Sequence, residues 1–159
     1  MVSRANFIRG KFSNKTQAIR PPWSIDEQQF TDLCHRCDDC IKACPGKIIE
    51  RGDAGFPQVN FRLGECDFCG DCEKSCKTNA LHKIEEDQQP WQLNLLIKED
   101  CLVNKNVVCR SCGEVCDERA IRFKPKIGGV FIPEFDLGQC SGCGACVNVC
   151  PVNAVQLSV

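Results

Sequence analysis

Sixteen of the 159 residues are cysteine, and most fall into three runs that share one spacing, C-x-x-C-x-x-C-x-x-x-C. The runs are Cys34, Cys37, Cys40, Cys44; Cys66, Cys69, Cys72, Cys76; and Cys140, Cys143, Cys146, Cys150, with Cys101, Cys109, Cys112, Cys116 as a wider fourth group. Three thiolates at i, i+3 and i+6 converge on one small object only if the backbone wraps around it. This spacing is the ligand run of cubane iron-sulfur clusters. Zinc sites use one or two C-x-x-C pairs separated by a longer loop, often with histidine, and His35 and His82 are the only histidines here. Disulfides need an oxidising compartment and give no reason for a repeated spacing.

Each run offers three ligands to one cubane, so the fourth must come from elsewhere. In two-cluster ferredoxins it is the last cysteine of the other run. That rule joins Cys34, Cys37 and Cys40 to Cys76, and Cys66, Cys69 and Cys72 to Cys44. It likewise joins Cys140, Cys143 and Cys146 to Cys116, and Cys101, Cys109 and Cys112 to Cys150, for four 4Fe-4S clusters in two pairs. Cys101 precedes Cys109 by eight positions, so residues 102–108 must loop out if both hold one cluster. The alternatives are a three-cysteine site whose fourth iron is missing or water-held, and a buried free thiol at Cys101.

The chain also repeats itself. Phe61-Arg62-Leu63-Gly64-Glu65-Cys66 returns as Phe135-Asp136-Leu137-Gly138-Gln139-Cys140, and four and five positions past every fourth cysteine stand Ile48-Ile49, Ala80-Leu81, Ala120-Ile121 and Ala154-Val155. The duplication predicts an α+β protein of two tandem ferredoxin-like modules built around 4Fe-4S clusters, with small β-hairpins and short helices. The expected division is a basic N-terminal arm over 1–23, module one over 24–86, a connector over 87–100 and module two over 101–159. Units this small bury little apolar surface, so clusters serve as much of the core and their binding is folding free energy.

Local signals fill in the modules. Ser24 and Glu27 read as a capping box opening a helix from Ile25 to about Leu33. Ile48-Ile49 and Val59-Asn60-Phe61 flank a turn, and Ala120 to Phe123 pairs across Gly128-Gly129 with Val130 to Ile132. One short helix follows the second cysteine of each motif, and the alternation Trp91, Leu93, Leu95, Ile97 places a strand in a packed connector. Trp23 and Phe30 read as packing residues, with electron relays as the alternative. His35, Lys42 and Lys74 read as solvent-side residues, with cluster hydrogen bonding the alternative for His35 and an effect on potential the alternative for the lysines, and Gly70, Gly113, Gly142 and Gly144 let amides approach sulfur.

The formal charge is −1, and four clusters at about −2 each take it to about −9, which argues against a nucleic-acid partner. Arg4, Arg9, Lys11, Lys15 and Arg20 form a basic start without acids, either a solvated arm or a docking arm for an acidic partner. No apolar run is long enough to span a membrane and no export signal follows the basic start, so a cytoplasmic, reducing location is expected. Without a nucleotide fingerprint or nucleophile elbow, the chain is read as an electron-transfer protein rather than an enzyme.

The paired runs resemble those of bacterial 8Fe ferredoxins. Ile19-Arg20-Pro21-Pro22-Trp23-Ser24, the Cys101-Leu102 opening and Cys140-x-Gly142-Cys143-Gly144-Ala145-Cys146 ending in Cys150-Pro151 resemble, more narrowly, the NapF family of ferredoxin-type accessory proteins of the periplasmic nitrate reductase system. Lys77 departs from the proline usual after the fourth cysteine. The resemblance implies a cytoplasmic protein that meets the precursor of the catalytic nitrate reductase subunit and assists its maturation before export. The alternatives are a general polyferredoxin electron shuttle and a fixed electron-relay subunit of an oxidoreductase.

Overall fold

A computed structural model describes residues 17–85, 88–125 and 128–159. Arg4, Arg9, Lys11 and Lys15 of the basic arm lie outside the described residues. The helices are α1 (Glu27–Leu33), α2 (Asp39–Ala43), α3 (Asp71–Lys74), α4 (Ser111–Glu114) and α5 (Ala145–Asn148). The strands are β1 (Ile49–Arg51), β2 (Pro57–Val59), β3 (Asn94–Ile97), β4 (Ile121–Pro125), β5 (Phe131–Phe135) and β6 (Val155–Ser158). They pair antiparallel as β1–β2, β3–β6 and β4–β5. Both expected hairpins form, with Ile49 opposite Val59 and Ile121 opposite Phe135. Helices of a single turn do not persist on propensity alone, so the cysteine loops and hairpins beside them hold α2 to α5 in place.

The start of α1 differs from the capping-box expectation. Its N-cap is Asp26, whose carboxylate accepts from the Gln28 and Gln29 amides. Ser24 is pulled out of capping range because it pairs in extended form with Leu81, while the neighbouring Trp23 amide donates to Pro90 and the Ile25 amide to Ala80. Glu27 meets Arg20 instead, at 2.9 and 2.7 Å. Arg20 also lies over the rings of Phe30 and Phe56 and donates to the Pro57 carbonyl. This last cation of the basic start is therefore packed against module one.

The fourfold echo of apolar pairs is the backbone of the core: Ile48, Ile49, Ala80, Leu81, Ala120, Ile121, Ala154 and Val155 are all buried. Immediately before each pair stands a residue with positive φ, namely Lys47, Asn79, Arg119 and Asn153. Each fourth cysteine is thus followed by a left-handed turn that drives the next two side chains inward. The largest fully buried side chains are Phe30 and Ile48 of module one and Pro21 and Pro22 just ahead of it.

The connector is packed at both ends. Pro90 and Gln88 accept from the Trp23 amide and indole on the module-one side. β3, which carries Leu95 and Ile97, forms a ladder with β6 of module two.

Candidate metal centres

The three regular runs share one backbone device. The second and fourth residues after the first cysteine adopt positive φ: Arg36 and Asp38, Phe68 and Gly70, Gly142 and Gly144. Two left-handed residues within a few positions curl the chain, so the intervening thiols face a common centre. Glycine adopts this conformation freely, while a side chain there costs about 1 kcal/mol or more. At Asp38 a bidentate pairing with Arg51 of β1 ties the loop to its hairpin and holds the carboxyl below its usual range. The wide group is built otherwise: Leu102–Lys105 makes a 3-10 turn ending at left-handed Asn106, and this takes up the extra residues ahead of Cys109.

These loops leave four cavities, and the cysteines lining them follow the crossed pattern. Cys34, Cys37 and Cys40 line one together with Cys76. Cys66, Cys69 and Cys72 line another with Cys44. In module two, Cys140, Cys143 and Cys146 share a cavity with Cys116, and Cys101, Cys109 and Cys112 share one with Cys150. Cys101 is half-buried at the wall of that cavity, beside Leu102 and Val103.

The electrostatics repeat the pattern. Burial first, then the charges of Cys34, Cys37 and Cys76, push the Cys40 thiol up to about 12. Burial and neighbouring cysteines raise Cys72 and Cys146 to about 12, with Cys44 among the neighbours of the first and Cys116 among those of the second. Cys112 rises to about 11 through burial and then Cys109, Cys101 and Cys150. Several thiolates cannot share such a space unless a cation balances them, which the irons of a cubane do. Sulfur also receives hydrogen bonds. The Leu81 amide reaches Cys76 Sγ at 3.4 Å and the Ala154 amide reaches Cys150 Sγ at 3.2 Å. Among the described residues no three ligating side chains stand close enough to hold a single ion, and each set of four surrounds a cavity rather than a point. Donor chemistry, spacing and amide contacts fit 4Fe-4S clusters, which supply one-electron transfer when bound.

Other expectations find their places. His35 is exposed at the rim of the Cys34 cavity, and His82 stands 3.8 Å from Glu73 on the surface. Lys74 donates to the Cys69 carbonyl and neighbours Asp71. Two hydroxyls were not anticipated: Thr78 lies 3.7 Å from Cys76 Sγ, and Ser111 lies 3.7 Å from Cys109 Sγ. Each stands two positions past its cysteine, a local signal that was available to a reader of the sequence.

Tetrathiol cavities on a duplicated α+β unit define a class of iron-sulfur protein, and the family model described as "4Fe-4S dicluster domain" matches residues 33–80 and 107–154. Cys101 lies ahead of the second match. The chain is 39% identical to "Ferredoxin-type protein NapF" of Escherichia coli (strain K12), across 97% of the chain and 93% of that relative. It is 44% identical to the Haemophilus influenzae protein of the same name, across 99% of the chain and 94% of the relative. "Methylamine utilization ferredoxin-type protein MauM" of Methylobacillus flagellatus is 29% identical across 96% of the chain and 72% of the relative. The chain belongs to the ferredoxin-type NapF family of 4Fe-4S dicluster proteins. Among the described residues no helix is long and apolar enough to cross a membrane.

Proposed function

We propose that the protein carries four 4Fe-4S clusters, ligated in the four crossed sets, and acts as a cytoplasmic accessory protein for the periplasmic nitrate reductase. In this reading it binds the precursor of the catalytic subunit and assists its maturation before export, by electron transfer or by cluster assembly. It performs no catalysis of its own. The proposed division is an arm over 1–23, module one over 24–86, a connector over 87–100 and module two over 101–159. The observation that carries the reading is the likeness to NapF proteins along nearly the whole of both chains, and the crossed lining of the cavities supports the ligand sets.

A second reading, a general electron shuttle, is favoured by the exposure of Cys37 and Cys69, which gives unrelated partners access to ligating sulfurs. Anaerobic iron and acid-labile sulfide analysis, EPR of the reduced protein and capture of the reductase precursor separate the two. About sixteen irons per chain with specific capture are expected. Four clusters without capture would favour the shuttle.

A further inference from the structure

The two modules meet at their cysteine loops. The Cys66 amide donates to the Cys143 carbonyl across 2.8 Å, so a ligand residue of one proposed set is bonded directly to a ligand residue of another in the other module. Cys66 also lines the cavity of Cys116, Cys140, Cys143 and Cys146, which reaches about 310 Å³. The sets at Cys34 and Cys101 contribute no cysteine to that cavity. Contact between the tetrathiol sites of the two modules therefore runs through the Cys66 and Cys140 sets.

Trp91 holds this junction. Its indole N–H donates to the Gly142 carbonyl at 3.2 Å, inside the Cys140 loop. Its ring meets Phe61 edge-on at 5.6 Å and Phe68, inside the Cys66 loop, at 6.5 Å. Gly142 and Gly144 admit these rings: an added Cβ would lie 2.4 Å from Trp91 Nε1 at the first and 2.0 Å from Phe61 Cδ1 at the second. The connector is bonded to Trp23 just before Trp91 and to β6 just after it, so the indole has little freedom to leave.

We propose that Trp91 is a positioning residue that clamps the two middle cysteine sets together across the module boundary, making the four sites one continuous row rather than two independent pairs. This rests on the four-cluster reading above. Its test compares Trp91→Ala and Trp91→Phe with the wild type by iron content, Cys66 amide exchange and power saturation of the reduced EPR signal. Trp91→Ala is expected to keep its iron, to speed Cys66 exchange about tenfold and to lose part of the spin-spin interaction. Trp91→Phe keeps the ring contacts but not the donor, and is expected to recover most of the interaction with exchange between the other two. Wild-type exchange and EPR behaviour in Trp91→Ala at full iron overturn the clamp alone. If Trp91→Ala sheds iron, Trp91→Phe decides, and wild-type exchange in that variant overturns the clamp. About eight irons in the wild type overturn the four-cluster reading instead.

Discussion

The two modules use one cysteine template and cover it differently. In module one, Cys37 and Cys69, the second cysteines of their runs, are exposed, whereas their module-two counterparts Cys109 and Cys143 are half-buried. Module one leaves these two sulfurs exposed while Phe30 and Ile48, with Pro21 and Pro22 just ahead of it, are fully buried. The Cys140 run of module two is instead enclosed, with Gly142 and Gly144 beneath aromatic rings of the connector and module one. Spacing alone therefore decides what the loops can ligate, and the surrounding segments decide which sites face a partner.

The largest effect should come from removing iron with a chelator under reducing conditions. Both modules should lose cooperative melting by circular dichroism, module two completely and module one with some residual amide protection around Phe30. A cluster-free chain that resists protease and melts cooperatively would break the comparison, because neither module would then depend on metal.

Next come the crossed ligands. Cys44→Ala should cost about four irons from the Cys66 set while sparing the Cys34 set, and Cys116→Ala should do the same to the Cys140 set. EPR loss confined to the Cys34 site in the first variant would refute the crossing. Cys101→Ala, at the one group without the double left-handed loop, should also cost about four irons. Unchanged iron there would make Cys101 a free thiol and confine the symmetry to three sets.

pH sharpens the comparison further. In the cluster-free fold the Cys40, Cys72 and Cys146 thiols sit near 12 against an ordinary 9. Their contribution to any residual fold is complete below pH 9 and is lost as pH rises toward 12. Cluster uptake runs the other way, since each thiol must release its proton. Reconstitution should therefore gain about 1.4 kcal/mol per pH unit for each proton released. Uptake that is independent of pH between 7 and 9 would contradict thiols held protonated by burial. The smallest effect belongs to local geometry: Asp26→Ala should cost module one about 1 kcal/mol in thermal unfolding, with no counterpart in module two.

Much of the site was legible because ligand spacing is local. The runs and the helix after each second cysteine follow from residues within a few positions of one another, and each hairpin from two apolar stretches either side of one turn. The N-cap of α1 falls at Asp26 rather than Ser24 because Leu81, which pairs with Ser24, and Pro90 and Ala80, which hold its neighbours Trp23 and Ile25, are remote in sequence. The turn after each fourth cysteine was hidden for another reason: Lys47, Asn79, Arg119 and Asn153 share a backbone conformation but no side-chain type. The contact of Trp91 with Gly142 spans 51 positions, beyond any periodicity.

Ligation in the crossed sets proposed above would also impose a timetable on synthesis. Cys34, Cys37, Cys40 and Cys44 leave the ribosome as open thiols and find their partners only when Cys66 to Cys76 have followed. Cys44 becomes part of a complete set with the appearance of Cys72, and the Cys34 set closes one turn later with Cys76. The same order recurs in module two, where the Cys140 set is complete at Cys146 and the Cys101 set waits for Cys150. Within each module both proposed sites would fall due almost together, so a nascent chain would pass abruptly from six unguarded thiols to two closed cages, and oxidants or stray metals have their opportunity in the interval before.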